Sequence, residues 1–207
     1  MHKKKAQSNI IAFMLIIGVS LFLVSSTYYW LVPTVKEITS LNDVKKIEKQ
    51  MLDLHKAISQ VSREKSQRSL PLSINRGTIR VREDSIIYSG FYDLPEPEKG
   101  EEMILYGGIN STCGAYTCIN CSKDKIGKLG SDEPACLLRR GNVEIELRYL
   151  RLNDSFTGNM YDIKFKTSQR SHGGPGSRSI NIEWVNRTIR ENPSQKNTTS
   201  YLSVDIY

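Results

Sequence analysis

The sequence predicts an α+β protein: a long N-terminal transmembrane and stalk α-helix, then an antiparallel β-sandwich-like head. Three observations predict it. The 23 residues Ile10–Val32 contain no charge. From Leu41 to Val61 apolar residues recur at spacings of three and four. From about Ser69 onward the apolar period becomes two.

The uncharged run comes first. As a helix its 23 residues span roughly 35 Å, against a hydrocarbon core about 30 Å thick. Tyr28, Tyr29 and Trp30 sit at its far end, where amphipathic aromatic rings favour the membrane interface. Lys3, Lys4 and Lys5 precede it and place that end on the cytoplasmic side, so the chain after Pro33 is expected outside the cell. A buried core helix rarely stays uncharged for so long. A cleaved secretory signal has a shorter apolar stretch and a small-x-small cleavage site, for which Ser25 and Ser26 are a poor match.

The segment MHKKKAQSNIIAFMLIIGVSLFLV resembles the class III signal peptide of archaeal type IV pilin-like proteins. The match is Lys3-Lys4-Lys5-Ala6, then Gln7, then the apolar run from Ile10. The resemblance implies a prepilin-type signal peptidase cutting between Ala6 and Gln7, ahead of the apolar run, which therefore stays on the mature chain. It covers about the first 35 residues. Many bacterial pilins carry a Glu five residues into the mature chain; counted from Gln7 that position is Ile11, which weakens the bacterial assembly mechanism and leaves the archaeal comparison standing. The implied division is a leader at 1–6, a transmembrane or filament-core helix at 7–35, an amphipathic stalk helix at 36–68, and an extracellular β-rich head at 69–207 with a disulfide loop at 113–136.

Pro33 removes one backbone donor and is expected to kink the helix without ending it. Beyond it, Leu41, Val44, Ile47, Met51, Leu54, Ile58 and Val61 form one apolar stripe among charged neighbours such as Lys45, Glu48 and Lys56. Spacings alternating between four and three make a short heptad seam, with two partners open to it: the chain's own β-domain, which is favoured, or a like helix. Glu64 and Arg68 are placed for an i,i+4 pair.

In the head, Ile79 and Val81 alternate with Arg80 and Arg82, and Val143, Ile145, Leu147 and Tyr149 with Glu144, Glu146 and Arg148. The sets Tyr161/Ile163/Phe165, Ile180/Ile182/Trp184 and Leu202/Val204/Ile206 repeat the pattern. Ile86–Tyr88 and Met103–Tyr106 add two more. Seven or eight strands are expected, with a loop at His172-Gly173-Gly174-Pro175-Gly176. That pentapeptide superficially resembles an oxyanion loop of some α/β-hydrolases, but the chain has no Gly-x-Ser-x-Gly nucleophile turn.

The four cysteines, Cys113, Cys118, Cys121 and Cys136, fall in one short stretch. In an oxidising setting two disulfides would staple that loop; a four-thiolate zinc site is the disfavoured alternative, and three pairings are open. Sequons at Asn110, Asn153, Asn186 and Asn197 agree with export and glycosylation; Asn120, lodged between cysteines, is the least suited of the five.

The net charge of +7 includes the three leader lysines, whose removal leaves +4. The remaining basic residues are interleaved with acidic ones, so no nucleic-acid face is expected. His2, His55 and His172 have no metal-ligand spacing, no phosphate-binding loop occurs, and Glu101-Glu102 and Glu144/Glu146 read as solvated pairs. No catalytic residue, cofactor or metal is expected. The expected partners are the membrane, the prepilin-type peptidase, and like subunits or other pilins through the N-terminal helix. The function that follows is a structural pilin-like subunit, major or minor, of an archaeal cell-surface filament, with a head for adhesion or protein contacts. The alternative is a single-pass anchored extracellular binding module that does not polymerise. The expected location is accordingly the cell membrane, with the C-terminal domain outside, or an extracellular filament.

Overall fold

The computed structural model describes residues 2–92, 94, 103–106, 109–113, 116–120, 124–128, 134–141, 143–166, 170–192 and 195–207; for 2–12, 103, 109–113, 116–120, 125 and 192 it describes the backbone alone. One helix, α1, runs His2–Glu64, and a β-rich domain follows. Backbone contacts divide the chain into two units, 1–42 and 43–207. The expected α+β class is what the structure has.

In the first unit the helix passes Pro33 without a break. Three threonine hydroxyls donate to carbonyls one turn back: Thr27 to Leu23 (2.8 Å), Thr34 to Trp30 (3.1 Å) and Thr39 to Val35 (2.7 Å). Their hydroxyl protons are thus satisfied within the helix.

In the second unit the helix ends at Glu64, not at residue 68. Lys65 takes a left-handed backbone conformation (φ 53°) that stops the helix. Residues 67 and 68 already belong to the first strand, so the Glu64–Arg68 pair, 3.6 Å apart, bridges a helix end and a strand instead of one helical turn.

Fourteen strands are present among the described residues, more than the pattern predicted because several are only two to five residues long. They are β1 (Gln67–Ile74), β2 (Thr78–Val81), β3 (Ser85–Ser89), β4 (Met103–Tyr106), β5 (Ile109–Cys113), β6 (Tyr116–Asn120) and β7 (Lys125–Gly127). Then come β8 (Ala135–Arg140), β9 (Glu144–Tyr149), β10 (Leu152–Asp154), β11 (Met160–Lys166), β12 (His172–Gly173), β13 (Gly176–Asn192) and β14 (Gln195–Ile206). Two six-stranded sheets form, in the orders β1-β13-β14-β11-β10-β7 and β12-β2-β3-β9-β8-β4, with β5-β6 as a separate hairpin. Pairing is mostly antiparallel; β11 with β14 and β7 with β10 are parallel. Pro71 lies on β1, at a sheet edge, where a missing N–H is tolerated.

The helical stripe Val44, Ile47, Met51, Leu54, Ile58 and Val61 is buried against the chain's own sheets. Leu54 meets Leu72 of β1 and Ile180 of β13 in a shared hollow. On the other side Arg139 of β8 pairs with Glu48 at 3.0 Å. His55 lies 3.0 Å from the Tyr149 hydroxyl, and the Tyr149 ring meets Phe165 of β11 edge-on at 5.2 Å, tying the two sheets together. The alternating sets Ile79/Val81, Val143/Ile145/Leu147/Tyr149, Ile163/Phe165, Ile180/Ile182 and Leu202/Val204/Ile206 are all buried, as their period required.

Two local expectations need correction. His172 and Gly173 are not loop residues: they form β12, paired with Arg80 and Ile79 of β2. A side chain at Gly173 would bring its Cβ to 2.7 Å from the Ile206 Cγ2, so glycine permits this close approach of strand to core. Glu146 is not solvated either. It is 5% exposed, because its cross-strand neighbours Ile87 and Leu138 are themselves buried on that face of the sheet.

Candidate functional site

The first candidate is the apolar part of α1. Every residue from 13 to 31 is exposed within the isolated chain. Phe13, Met14, Phe22 and Val24 are each about two-thirds exposed, and Tyr28, Tyr29 and Trp30 form an aromatic cluster of similar or greater exposure. By length and composition this helix is fit to cross a membrane. A soluble monomer rarely leaves apolar patches above a few hundred Å² bare, which makes this surface a candidate membrane span or contact face. Ala6 and Gln7 lie within α1, at its N-terminal end.

The second is the cysteine segment. Cys136 lies on β8, fully buried and disulfide-bonded, and clusters with Leu138, Leu150 and Ile104. A disulfide sulfur is no thiolate, so a four-thiolate zinc site would lack this ligand. Cys113 and Cys118 lie on the β5–β6 hairpin, each two positions removed from being paired with the other: Cys113 pairs with Tyr116 and Cys118 with Ser111. Cys121 lies outside the described residues.

The sequons are not equivalent. Asn186 is exposed on β13; Asn153 and Asn197 are half-buried; the Asn110 and Asn120 side chains lie outside the described residues. Among the described residues no group of three His, Cys, Asp or Glu is placed to hold a metal. His55 is a core residue, packed between the rings of Tyr106 and Tyr149 at 5.4 and 5.8 Å. His172 is exposed, 3.0 Å from the Ser171 hydroxyl. Glu101 and Glu102 lie outside the described residues.

Sequence patterning missed two buried charge clusters. Glu146 accepts from Arg140 (2.9 Å) and twice from Arg148 (3.0 and 2.8 Å). Arg139 and Glu48 form the other, across 91 residues. It also missed a tyrosine pair. The Tyr88 and Tyr92 hydroxyls lie 2.7 Å apart, Tyr88 donates to the Arg76 carbonyl, and burial pushes both phenols above their ordinary range. The spacing of Tyr88 and Tyr92 was visible, but nothing in it marks a contact between a residue of β3 and one just past its end. Comparison with protein-family profiles, with curated proteins and with solved structures finds no match to this chain.

Proposed function

We propose that this chain is a pilin-like structural subunit of an archaeal cell-surface filament, held in the membrane by its N-terminal helix before assembly. The observation that carries this reading is the bare helix surface from Phe13 to Leu31, apolar on every side and uncharged. Transfer from lipid into a helical bundle exchanges one apolar surrounding for another, so a filament core can form without exposing this surface to water. A prepilin-type peptidase cuts between Ala6 and Gln7, which removes Lys3, Lys4 and Lys5 and leaves the apolar run intact. The head lies outside the cell and makes adhesion or protein contacts without catalysis. There Cys113, Cys118, Cys121 and Cys136 form two bridges, and Asn186, the exposed sequon, carries a glycan more readily than Asn153 or Asn197.

The mature N-terminus tests this directly. Mass spectrometry of protein from native membranes is expected to find Gln7 first. An intact Met1, or a start after Ser26, sinks the pilin reading. Electron microscopy of sheared surface material is then expected to show filaments containing the chain; membrane-bound monomers alone would favour an anchored binding module.

A further inference from the structure

The two halves of β13 have different edges. Residues 176–183 pair with β1 on one side and β14 on the other. The β1 register stops at Gln67, opposite Glu183, and the Trp184 N–H then donates to the Ser66 carbonyl at 3.1 Å. Residues 186–192 pair with β14 alone; no other described strand lies along them. Seven residues, roughly 24 Å of strand, therefore carry backbone N–H and C=O groups on alternate residues that have no ladder partner among the described residues.

The same side of the sheet is closed where β1 forms it. With its side-chain amide turned to match, Gln50 of α1 accepts from the Ser73 N–H and donates to the Ser73 carbonyl, at 3.1 Å each. A side chain thus stands in for a neighbouring strand. The Ser73 backbone faces outward, so that of Pro71, two residues before, does too, and proline has no N–H to offer. Lys46 Nζ adds a bond to the Ser73 hydroxyl at 3.2 Å. Edges that must stay single carry such devices. Residues 186–192 contain no proline, and their pairing with β14 runs without a bulge. The device left to them is charge, on Arg187, Arg190 and Glu191. Charges of mixed sign do not repel a copy of the same strand in every register.

We propose that residues 186–192 pair antiparallel, edge to edge, with the same segment of a second copy of this chain. A two-fold axis through Ile189 sets Arg187 opposite the copy's Glu191, and Glu191 opposite the copy's Arg187. An axis through Thr188 sets Arg187 opposite Ile189, and axes through Arg187, Arg190 or Glu191 set like charges against each other. Of the centres within the segment, only Ile189 brings unlike charges face to face. Glu191 already lies 3.0 Å from Lys196, its neighbour on β14, so the copy's Arg187 completes a row of alternating charge across three strands. Ile189, 48% exposed, meets its own copy at the axis and leaves water there. Asn186, Thr188 and Arg190 alternate to the other face, so a glycan on Asn186 stands above the sheet and not in the plane of its edge. The contact uses no residue of the apolar helix, so it goes beyond the filament reading and does not depend on it.

The test uses the full chain with micelles in excess over protein, which dilutes association through the helix. Ile189→Cys is oxidised mildly and its linkage located by non-reducing peptide mass spectrometry. A disulfide from position 189 of one copy to position 189 of another is expected; Thr188→Cys and Arg190→Cys are each expected to self-link about fivefold less. In the Ile189→Cys background, Arg187→Glu and Glu191→Arg each oppose like charges and are expected to cut the linkage about fivefold. Mixing these two variants is expected to restore it, because two acidic positions on one strand then face two basic positions on the other. A variant that merely misfolds is not rescued by mixing. A peptide of residues 186–192 is expected to compete for the edge, and the same peptide with its Arg187 and Glu191 exchanged to compete weakly. The proposal is overturned by no linkage at position 189, by stronger linkage at 188 or 190, or by no rescue between two variants that near-UV circular dichroism shows to be folded. Equal competition by both peptides also overturns it, since the edge would then accept any strand.

Discussion

The buried carboxylate of Glu146 gives the sharpest test of the head's packing. Its side chain is 7% exposed, and it holds Arg140 and Arg148, which are 33% and 26% exposed. Glu146→Gln keeps the shape but removes the charge. With its oxygen in the place of Oε2, the amide still accepts from Arg140 and from Arg148 Nη2, while its nitrogen faces the Arg148 Nε–H donor. One of the three hydrogen bonds is therefore lost, and the other two no longer go to a carboxylate. Bonds to charged groups contribute about 1.5–3 kcal/mol each, but both arginines reach water and recover part of that. The expected loss is about 2–3 kcal/mol, less than the roughly 3–5 kcal/mol of a fully buried broken pair. For a unit of this size it lowers the unfolding midpoint by roughly 5–10 °C.

Glu144→Gln is the matched control. That carboxylate is 45% exposed and 3.9 Å from the same Arg140, so its loss is expected to stay under about 0.5 kcal/mol. Near-UV circular dichroism of the full chain in micelles reports the head, where Tyr88, Tyr92, Tyr149 and Trp184 lie. If the two variants unfold within about 0.5 kcal/mol of each other, Glu146 is effectively solvated, and the claim that this sheet face excludes water is wrong.

Three further expectations follow from particular atoms. Leu21→Arg places a charge near the middle of the apolar run, at about 2.5–3.5 kcal/mol; a fraction resistant to carbonate extraction should fall sharply, and unchanged retention would count against a membrane setting for this helix. Asp162→Asn should raise stability at neutral pH. The parent's carboxyl is raised when folded, so its penalty is present above the folded value, declines as pH falls through it, and is gone below the ordinary value near 3.8; urea midpoints of the two proteins should therefore converge in acid, and parallel curves would refute the assignment. Gly173→Ala forces a methyl to 2.7 Å from Ile206 Cγ2 and 3.2 Å from Ile79 Cγ2, both on stiff β-branched side chains, and should cost about 1–3 kcal/mol in chemical denaturation; a neutral result would mean that β12 shifts freely.

The helix and most of the sheet core were legible because each pattern reports one exposed and one buried side. The three-four stripe from Val44 to Val61 and the alternation at Ile145/Leu147 or Val204/Ile206 each name the buried face outright. The end of α1 was misplaced because no glycine or proline marks it. Gln67 and Arg68 read equally well as helix, and only pairing with Glu183 and Ile182 on β13, more than a hundred residues on, fixes them as strand. Lys65 in a left-handed conformation is equally silent in the sequence.

The polar features were hidden for a deeper reason. Alternation assigns one face of a strand to the core and the other to solvent, so Glu146 was read as solvated because Ile145 and Leu147 were not. That inference holds only where a sheet has one covered face. On β3, Ser85, Ile86, Ile87 and Tyr88 are all buried, a run without alternation, and such runs belong to strands covered on both sides. β9 is its hydrogen-bonded neighbour, so Ile87 next to Tyr88 was the available sign that the Glu146 face is covered too. The polar row on β11, β13 and β14 has no comparable sign. Asp162, Thr199 and Thr188 stand on neighbouring strands in one register row, and Asp84 and Arg148 approach from the other sheet. A parallel β11–β14 pairing, which no local turn dictates, brings the first of them together. A polar cluster assembled by nonlocal pairing of this kind leaves no periodicity, because Asp162, Thr188 and Thr199, each taken alone on its strand, occupy ordinary outward positions.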